Sequence, residues 1–144
     1  ERANSAGIRL IAAAGNAGTD KDAIPPYPTG NSSANIISVA ALDGTGALAW
    51  YSQYGASTVD IGAPGSDVIS TVPVSSKGKV SSGYASYSGT SMATPHVTGA
   101  AALYKARNPS ATAAQIKAAL LNGTATPSLT GKVATGDRLD ITTW

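Results

Sequence analysis

The sequence predicts an α/β fold built on a mostly parallel sheet, and three observations carry that reading. Two apolar runs of strand length, residues 8–14 and 35–42, are nearly continuous instead of alternating, as in strands buried on both faces. Residues 91–107 form a longer alanine-rich stretch of helical length. Strand and helix candidates then alternate along the chain, the pattern of layered α/β domains.

Taken in order, Glu1-Arg2-Ala3-Asn4-Ser5-Ala6-Gly7 reads as the tail of a helix ending at a glycine, hence as a chain with residues upstream. Residues 8–14 carry no charge after Arg9 and lie between Gly7 and Gly15, which suits a buried strand. Residues 16–34 form a loop rich in Gly, Asp, Pro, Ser and Asn. Connections of that length inside compact domains are more often functional than idle. Residues 35–42 make the second strand. Residues 58–62 and 67–72 are shorter strands separated by a Pro64-Gly65 turn, and residues 80–87 form a flanking ribbon. The helix over 91–107 tolerates Pro95 because it falls near the first turn, and Asn108-Pro109 ends it. Thr112 with Gln115 forms a capping box for a second helix, which runs through Ile116, Ala119 and Leu120 to Asn122-Gly123. Residues 137–144 read as a last strand. No internal repeat or domain boundary interrupts residues 1–144, a length suited to one core.

Composition excludes several classes. Hydrophobic residues make up 42% of the chain, above the disordered range, while charged residues are only 12%. The net charge of +2 comes without a Lys/Arg stripe, which argues against nucleic-acid binding. No apolar run reaches the roughly 20 residues that span a bilayer, so no membrane partner is expected. With no cysteine, a thiolate metal site, a disulfide framework and a cysteine nucleophile are all excluded.

The segment Gly89-Thr90-Ser91-Met92-Ala93-Thr94-Pro95-His96-Val97 carries the chemistry. It sets Ser91 between small residues at the start of a helix, where the dipole is positive and little bulk blocks a substrate. An isolated Ser-Met-Ala would only cap a helix. This nine-residue string, with the Thr98-Gly99-Ala100-Ala101-Ala102-Leu103 that follows, resembles the nucleophile segment of the subtilisin-like serine proteases, the subtilases. Ala12-Ala13-Ala14-Gly15-Asn16 and Gly62-Ala63-Pro64-Gly65 are similar to further strings of that family.

The resemblance implies the C-terminal portion of a three-layer subtilisin-like fold, from the oxyanion strand through the nucleophile helix to the final strand. It implies that Ser91 attacks the peptide carbonyl and that the Asn16 amide, with the Ser91 backbone N–H, stabilises the oxyanion. Ala13, Ala14 and Gly15 are then one wall of the pocket for the residue before the scissile bond. Gly62-Ala63-Pro64-Gly65 is a rigid turn with no catalytic part. Met92 beside the nucleophile is an oxidation target.

His96 is the only histidine. Five helical steps from Ser91 rotate about 500°, leaving the two side chains some 140° apart. It is expected to be buried and structural rather than the base. Family chain order runs Asp, His, Ser, so the partners of Ser91 are expected upstream of residue 1, in an N-terminal segment or companion chain. None of the eight acidic residues has the family's strand-end Asp context. The chain alone is therefore expected to be inactive. Catalysis would need no cofactor. Structural calcium is an open option at Asp22, where the kexin-like branch places a ligand, although Gln53 stands where that branch uses glutamate. Asp20 and Asp22 also suit plain turn roles. Tyr27-Pro28 resembles the family's pocket loop.

The expected activity is a secreted serine endopeptidase acting on polypeptides, with a propeptide or protein inhibitor as further possible partners. Two other classes were weighed. A non-catalytic peptide-binding module has no physical reason to keep both Ser91 and Asn16. A different α/β hydrolase would need a Gly-x-Ser-x-Gly elbow with a histidine downstream, but Ser91 sits in Gly-Thr-Ser-Met-Ala and no histidine outside the same helix follows it.

Overall fold

Residues 2–23, 33–142 and 144 are described by the computed structural model. A short helix, α1 (Arg2–Ser5), leads into β1 (Leu10–Ala13), followed by β2 (Ile36–Leu42) and β3 (Ile61–Pro64). β4 (Val68–Ser76) and β5 (Lys79–Tyr87) come next, then α2 (Thr90–Arg107) and α3 (Ala113–Leu121). The chain closes through β6 (Thr124–Ala125), a 3-10 turn at Pro127–Leu129 and β7 (Asp137–Arg138).

The main sheet runs β1-β2-β3-β7-β6. Its first four strands are mutually parallel and β6 is antiparallel to β7. The mostly parallel α/β sheet expected from the sequence is thus present. Every residue of β2 is buried, as its uncharged Ile-Ile-Ser-Val-Ala-Ala-Leu requires. Because side chains alternate, Ile37, Val39 and Ala41 face one way, onto Ala93, Val97 and Ala100 of α2 and Leu120 of α3. Ala40 and Leu42 face the other way, onto Ala14, Val59, Leu129 and Val133 from strand ends and loops. The spacing of Ala93, Val97 and Ala100 puts small side chains on one helical stripe, so α2 lies close on the sheet. Gly65 shows how close: a Cβ there would stand 2.6 Å from the Ala41 Cβ and 2.9 Å from the Gly89 carbonyl oxygen.

Several sequence expectations need correction. Residues 8–14 do not form a strand buried on both faces. β1 is four residues long and lies at the sheet edge, so Ile8 and Leu10 stay 53% and 43% exposed. The strand expected over 58–62 begins at Ile61, because Thr58 belongs to a turn held by Asp22. The strand expected over 67–72 runs from Val68 to Ser76. It pairs with β5 from Val68↔Tyr87 to Ser76↔Lys79. Lys77 and Gly78, both at positive φ (48° and 77°), close it as a two-residue hairpin. Of the described residues in 137–144 only Asp137 and Arg138 are strand, since the Asp140 carboxylate draws the Thr142 amide and hydroxyl into a turn. The capping box forms as read: Thr112 and Gln115 exchange side-chain and backbone bonds at the start of α3. Tyr27 and Pro28 lie outside the described residues. No helix among the described residues is long and apolar enough to cross a membrane.

Candidate active site

Two strand ends and one helix start meet at the site. The turn after β3 supports the entry to α2: the Gly89 amide donates to the Gly65 carbonyl at 2.8 Å. Gly89 has no side chain with which to cap the helix. That role passes to Asn16, from the loop after β1. Its Oδ1 accepts from the Thr90 amide and the Thr90 hydroxyl, both at 2.9 Å. The Thr90 hydroxyl in turn accepts from the Gly15 amide at 3.1 Å. Thr90 is fully buried and Asn16 is exposed, so the latch ties a solvent-facing carboxamide to a buried anchor.

The latch also orients the amide. A backbone N–H can meet only the oxygen of a carboxamide, which turns Asn16 Nδ2 away from Thr90 as a donor with no protein acceptor among the described residues. That nitrogen lies 3.3 Å from where a Cβ on Gly89 would be. Ser91 follows Thr90, in the first turn of α2, and is exposed. Neither its hydroxyl nor its amide has a protein partner among the described residues, and first-turn amides have no acceptor within their own helix. The structure thus brings Ser91 and Asn16 together at the positive end of α2.

Ala13, Ala14 and Gly15 run into this corner along β1. Ala14 is buried to 2% and packs into the core, so only its backbone can border a pocket. Gly15 is needed as glycine: its φ is +113°, and a Cβ would meet the Gln53 side chain at 1.9 Å. Below the wall, Lys21 is 1% exposed and donates to the Ala14 carbonyl. Burial pushes its pKa below the usual lysine value. Sequence reasoning missed both Thr90 and Lys21. Thr90 was visible as the residue before the nucleophile, whereas a lysine in a polar loop reads as surface.

His96 is a correction. It was expected to be buried and is exposed, on the side of α2 where it borders a groove with Pro95, Gly99 and Leu103. Pro64, Leu139 and Ile141 border the same groove. Its Nδ1 lies 2.9 Å from the Met92 carbonyl oxygen, one turn back on its own helix, so the ring is held along α2 rather than toward Ser91. Asp22 stands apart from the Ser91 corner. Its Oδ1 accepts from the Thr58 hydroxyl at 2.7 Å and the Thr58 amide at 3.0 Å, and Oδ2 accepts from the Ser57 amide at 3.1 Å. Desolvation raises its pKa, but the Thr58 hydroxyl and the Ser57 and Thr58 amides outweigh it and hold the carboxyl below its usual range. Asp22 is a turn cap here. No group of three or more His, Asp or Glu side chains able to hold a metal ion occurs among the described residues.

Comparison with known proteins shows the family. The family described as "Subtilase family" matches residues 1–138. Alkaline elastase YaB of Bacillus sp. (strain YaB) is 46% identical over 121 residues, which is 84% of this chain and 29% of that protein. Subtilisin BL of Lederbergia lenta is 46% identical over 120 residues, covering 83% of this chain and 40% of that protein. Among solved structures, a protease of Pseudoalteromonas arctica superposes with a TM-score of 0.82 at 32% identity, over 96% of this chain and 42% of that one. The chain therefore spans less than half the length of the relatives it matches.

Proposed function

The chain belongs to the subtilase family, and on that premise we propose that it supplies the nucleophile and oxyanion donors of a secreted serine endopeptidase. The observation that carries the reading is the Asn16–Thr90 latch beside an exposed, unpartnered Ser91.

In the proposed mechanism Ser91 Oγ attacks the scissile carbonyl carbon. Its proton passes to an imidazole that a companion segment supplies, together with the aspartate that orients it. As the carbonyl becomes tetrahedral, its oxygen gains negative charge. Asn16 Nδ2 and the Ser91 amide donate to that oxygen, and both are in place before the reaction begins. The intermediate collapses to an acyl-enzyme on Ser91 as the amine leaves with the proton, and water then releases the acid. Ala13, Ala14 and Gly15 border the side chain before the scissile bond, through their backbone and the small Ala13 side chain. Polypeptides are the substrates, and no cofactor takes part. A non-catalytic peptide holder is disfavoured, since it would have no use for a carboxamide turned so that its N–H group faces outward.

Asn16→Ala in the complete protein tests this. It should lower kcat by roughly 10²–10³, the magnitude known from subtilisin itself, with KM little changed. An unchanged kcat would remove Asn16 from the oxyanion site.

A further inference from the structure

Lys21 is a buried cation to which the proposed mechanism gives no part. The residue is 1% exposed, whereas lysine ordinarily keeps its ammonium in water. Backbone pairing puts it there. The Gly18 amide donates to the Tyr51 carbonyl at 2.8 Å, the Tyr54 amide to the Thr19 carbonyl at 3.3 Å, and the Lys21 amide to the Tyr54 carbonyl at 2.7 Å. Residues 18–21 therefore run beside residues 51–54, and the lysine stem turns back beneath the end of β1. Its ammonium donates to the Ala14 carbonyl at 2.5 Å. The carboxylates on either side have backbone roles: Asp20 accepts from the Asp22 amide, and Asp22 caps the Ser57–Thr58 turn. Packing gives no reason for the charge, because a methionine of similar length could be buried without desolvating an ammonium.

The acceptor explains it. The Ala14 carbonyl and the Gly15 amide are the two ends of one planar peptide unit. Lys21 holds the oxygen end. The nitrogen end donates to the Thr90 hydroxyl at 3.1 Å, and that hydroxyl donates to Asn16 Oδ1 at 2.9 Å. Neighbouring bonds pin the unit on both sides: the Ala14 amide donates to the Val39 carbonyl at 2.9 Å, and the Gly15 carbonyl accepts from the Gln53 amide at 2.8 Å. A single file of hydrogen bonds thus runs from the ammonium through the peptide and Thr90 to the carboxamide of Asn16. Every donor in it points the same way, away from the positive charge. In such a file each bond polarises the next, and a charged donor at its head strengthens them all. The last bond draws electron density from the Asn16 carboxamide, which makes its Nδ2–H groups stronger donors to a developing oxyanion.

We propose that Lys21 is a positioning residue of the oxyanion site, acting on Asn16 through the Ala14–Gly15 peptide and Thr90. This rests on the reading of Asn16 as an oxyanion donor and extends that site to a buried charge in the loop after β1.

A mutant cycle in the complete protein tests it. Lys21→Met keeps the length of the side chain and removes its charge and donors. It should lower kcat about three- to tenfold and hold KM within about twofold, because the loss falls on the transition state. A peptide aldehyde, whose adduct places a tetrahedral oxygen in the oxyanion site, should bind more weakly by a similar factor. With Thr90→Val already in place the file is cut, so adding Lys21→Met should change kcat less than about twofold. A lysine that only supports the fold would lower Tm, and its effect on kcat would multiply with that of Thr90→Val. Multiplying effects, or a kcat unchanged in Lys21→Met, overturn the proposal. Should Lys21→Met not fold, Lys21→Gln, which keeps a neutral N–H donor, passes through the same cycle under the same criteria. Asn16→Ala separates the two readings. If it leaves kcat unchanged, the oxyanion reading fails and this proposal with it; if it lowers kcat while the Lys21 variants do not, only Lys21 drops out.

Discussion

Asn16 and Thr90 are 74 positions apart, yet two hydrogen bonds make them one functional unit. The latch solves two problems with one carboxamide. Its oxygen end caps a helix whose own N-cap is a bare glycine, and its nitrogen end is left free at the helix start. The arrangement makes Thr90 a positioning residue. Thr90→Val keeps the branched shape but removes the hydroxyl that joins Gly15 to Asn16. Loss of preorganisation of this kind should lower kcat by about 10- to 100-fold while KM holds, less than deleting the amide itself. Steady-state kinetics on Thr90→Val beside Asn16→Ala measures it, and a kcat equal to wild type would remove Thr90 from the account. Ser91 and Asn16 were legible through the resemblance of their strings to the subtilases, since taken alone each reads as a helix cap or a strand-end turn. Thr90 was in the same string, but its role needs a partner from another strand, and one-dimensional spacing cannot supply that.

At the scale of elements, legibility followed burial and local chemistry. β2 was readable because all seven of its residues are buried and uncharged, six of them apolar. The start of α3 was readable because the capping box is written within four residues. Thr112→Ala should therefore cost about 1 kcal/mol, seen as a lower Tm, and no change would mean the cap contributes nothing. Where an element depends on distant neighbours, the reading slipped. β1 reads as a central strand by composition, and among the described residues it ends the sheet at one edge, which leaves Ile8 and Leu10 exposed. β7 was overextended because the Asp140 turn, not hydropathy, ends it. That turn also has a pH signature. The Thr124 hydroxyl, then the Thr142 hydroxyl and amide, hold the Asp140 pKa at about 2. Since the folded value lies below the unfolded one, near 3.9, the contribution is complete above that value and fades as pH falls toward 2. The Tm difference between wild type and Asp140→Asn should accordingly narrow from pH 5 to pH 2. A difference independent of pH would show that Asp140 does not anchor the tail.

Across the whole molecule apolar burial is uneven. Apolar residues are well buried where α2 and α3 meet the sheet. Elsewhere Ile8 and Leu10 flank the free edge of β1, and Leu103 and Ile141 border the His96 groove at 42% and 44% exposure. Exposed apolar residues at these two places suit a companion segment that packs there. The proposed catalysis needs such a segment too, because His96 is bonded along its own helix and no other histidine exists in the sequence. The central claim is that Ser91 becomes a nucleophile only when an imidazole from that segment reaches it. Labelling with a fluorophosphonate, which reacts only with an activated serine, tests this directly. The account predicts modification at Ser91 when the companion segment is present, loss of it when that segment's histidine is replaced, and none on the chain alone. Equal labelling of the isolated chain, or no labelling under any pairing, would contradict it.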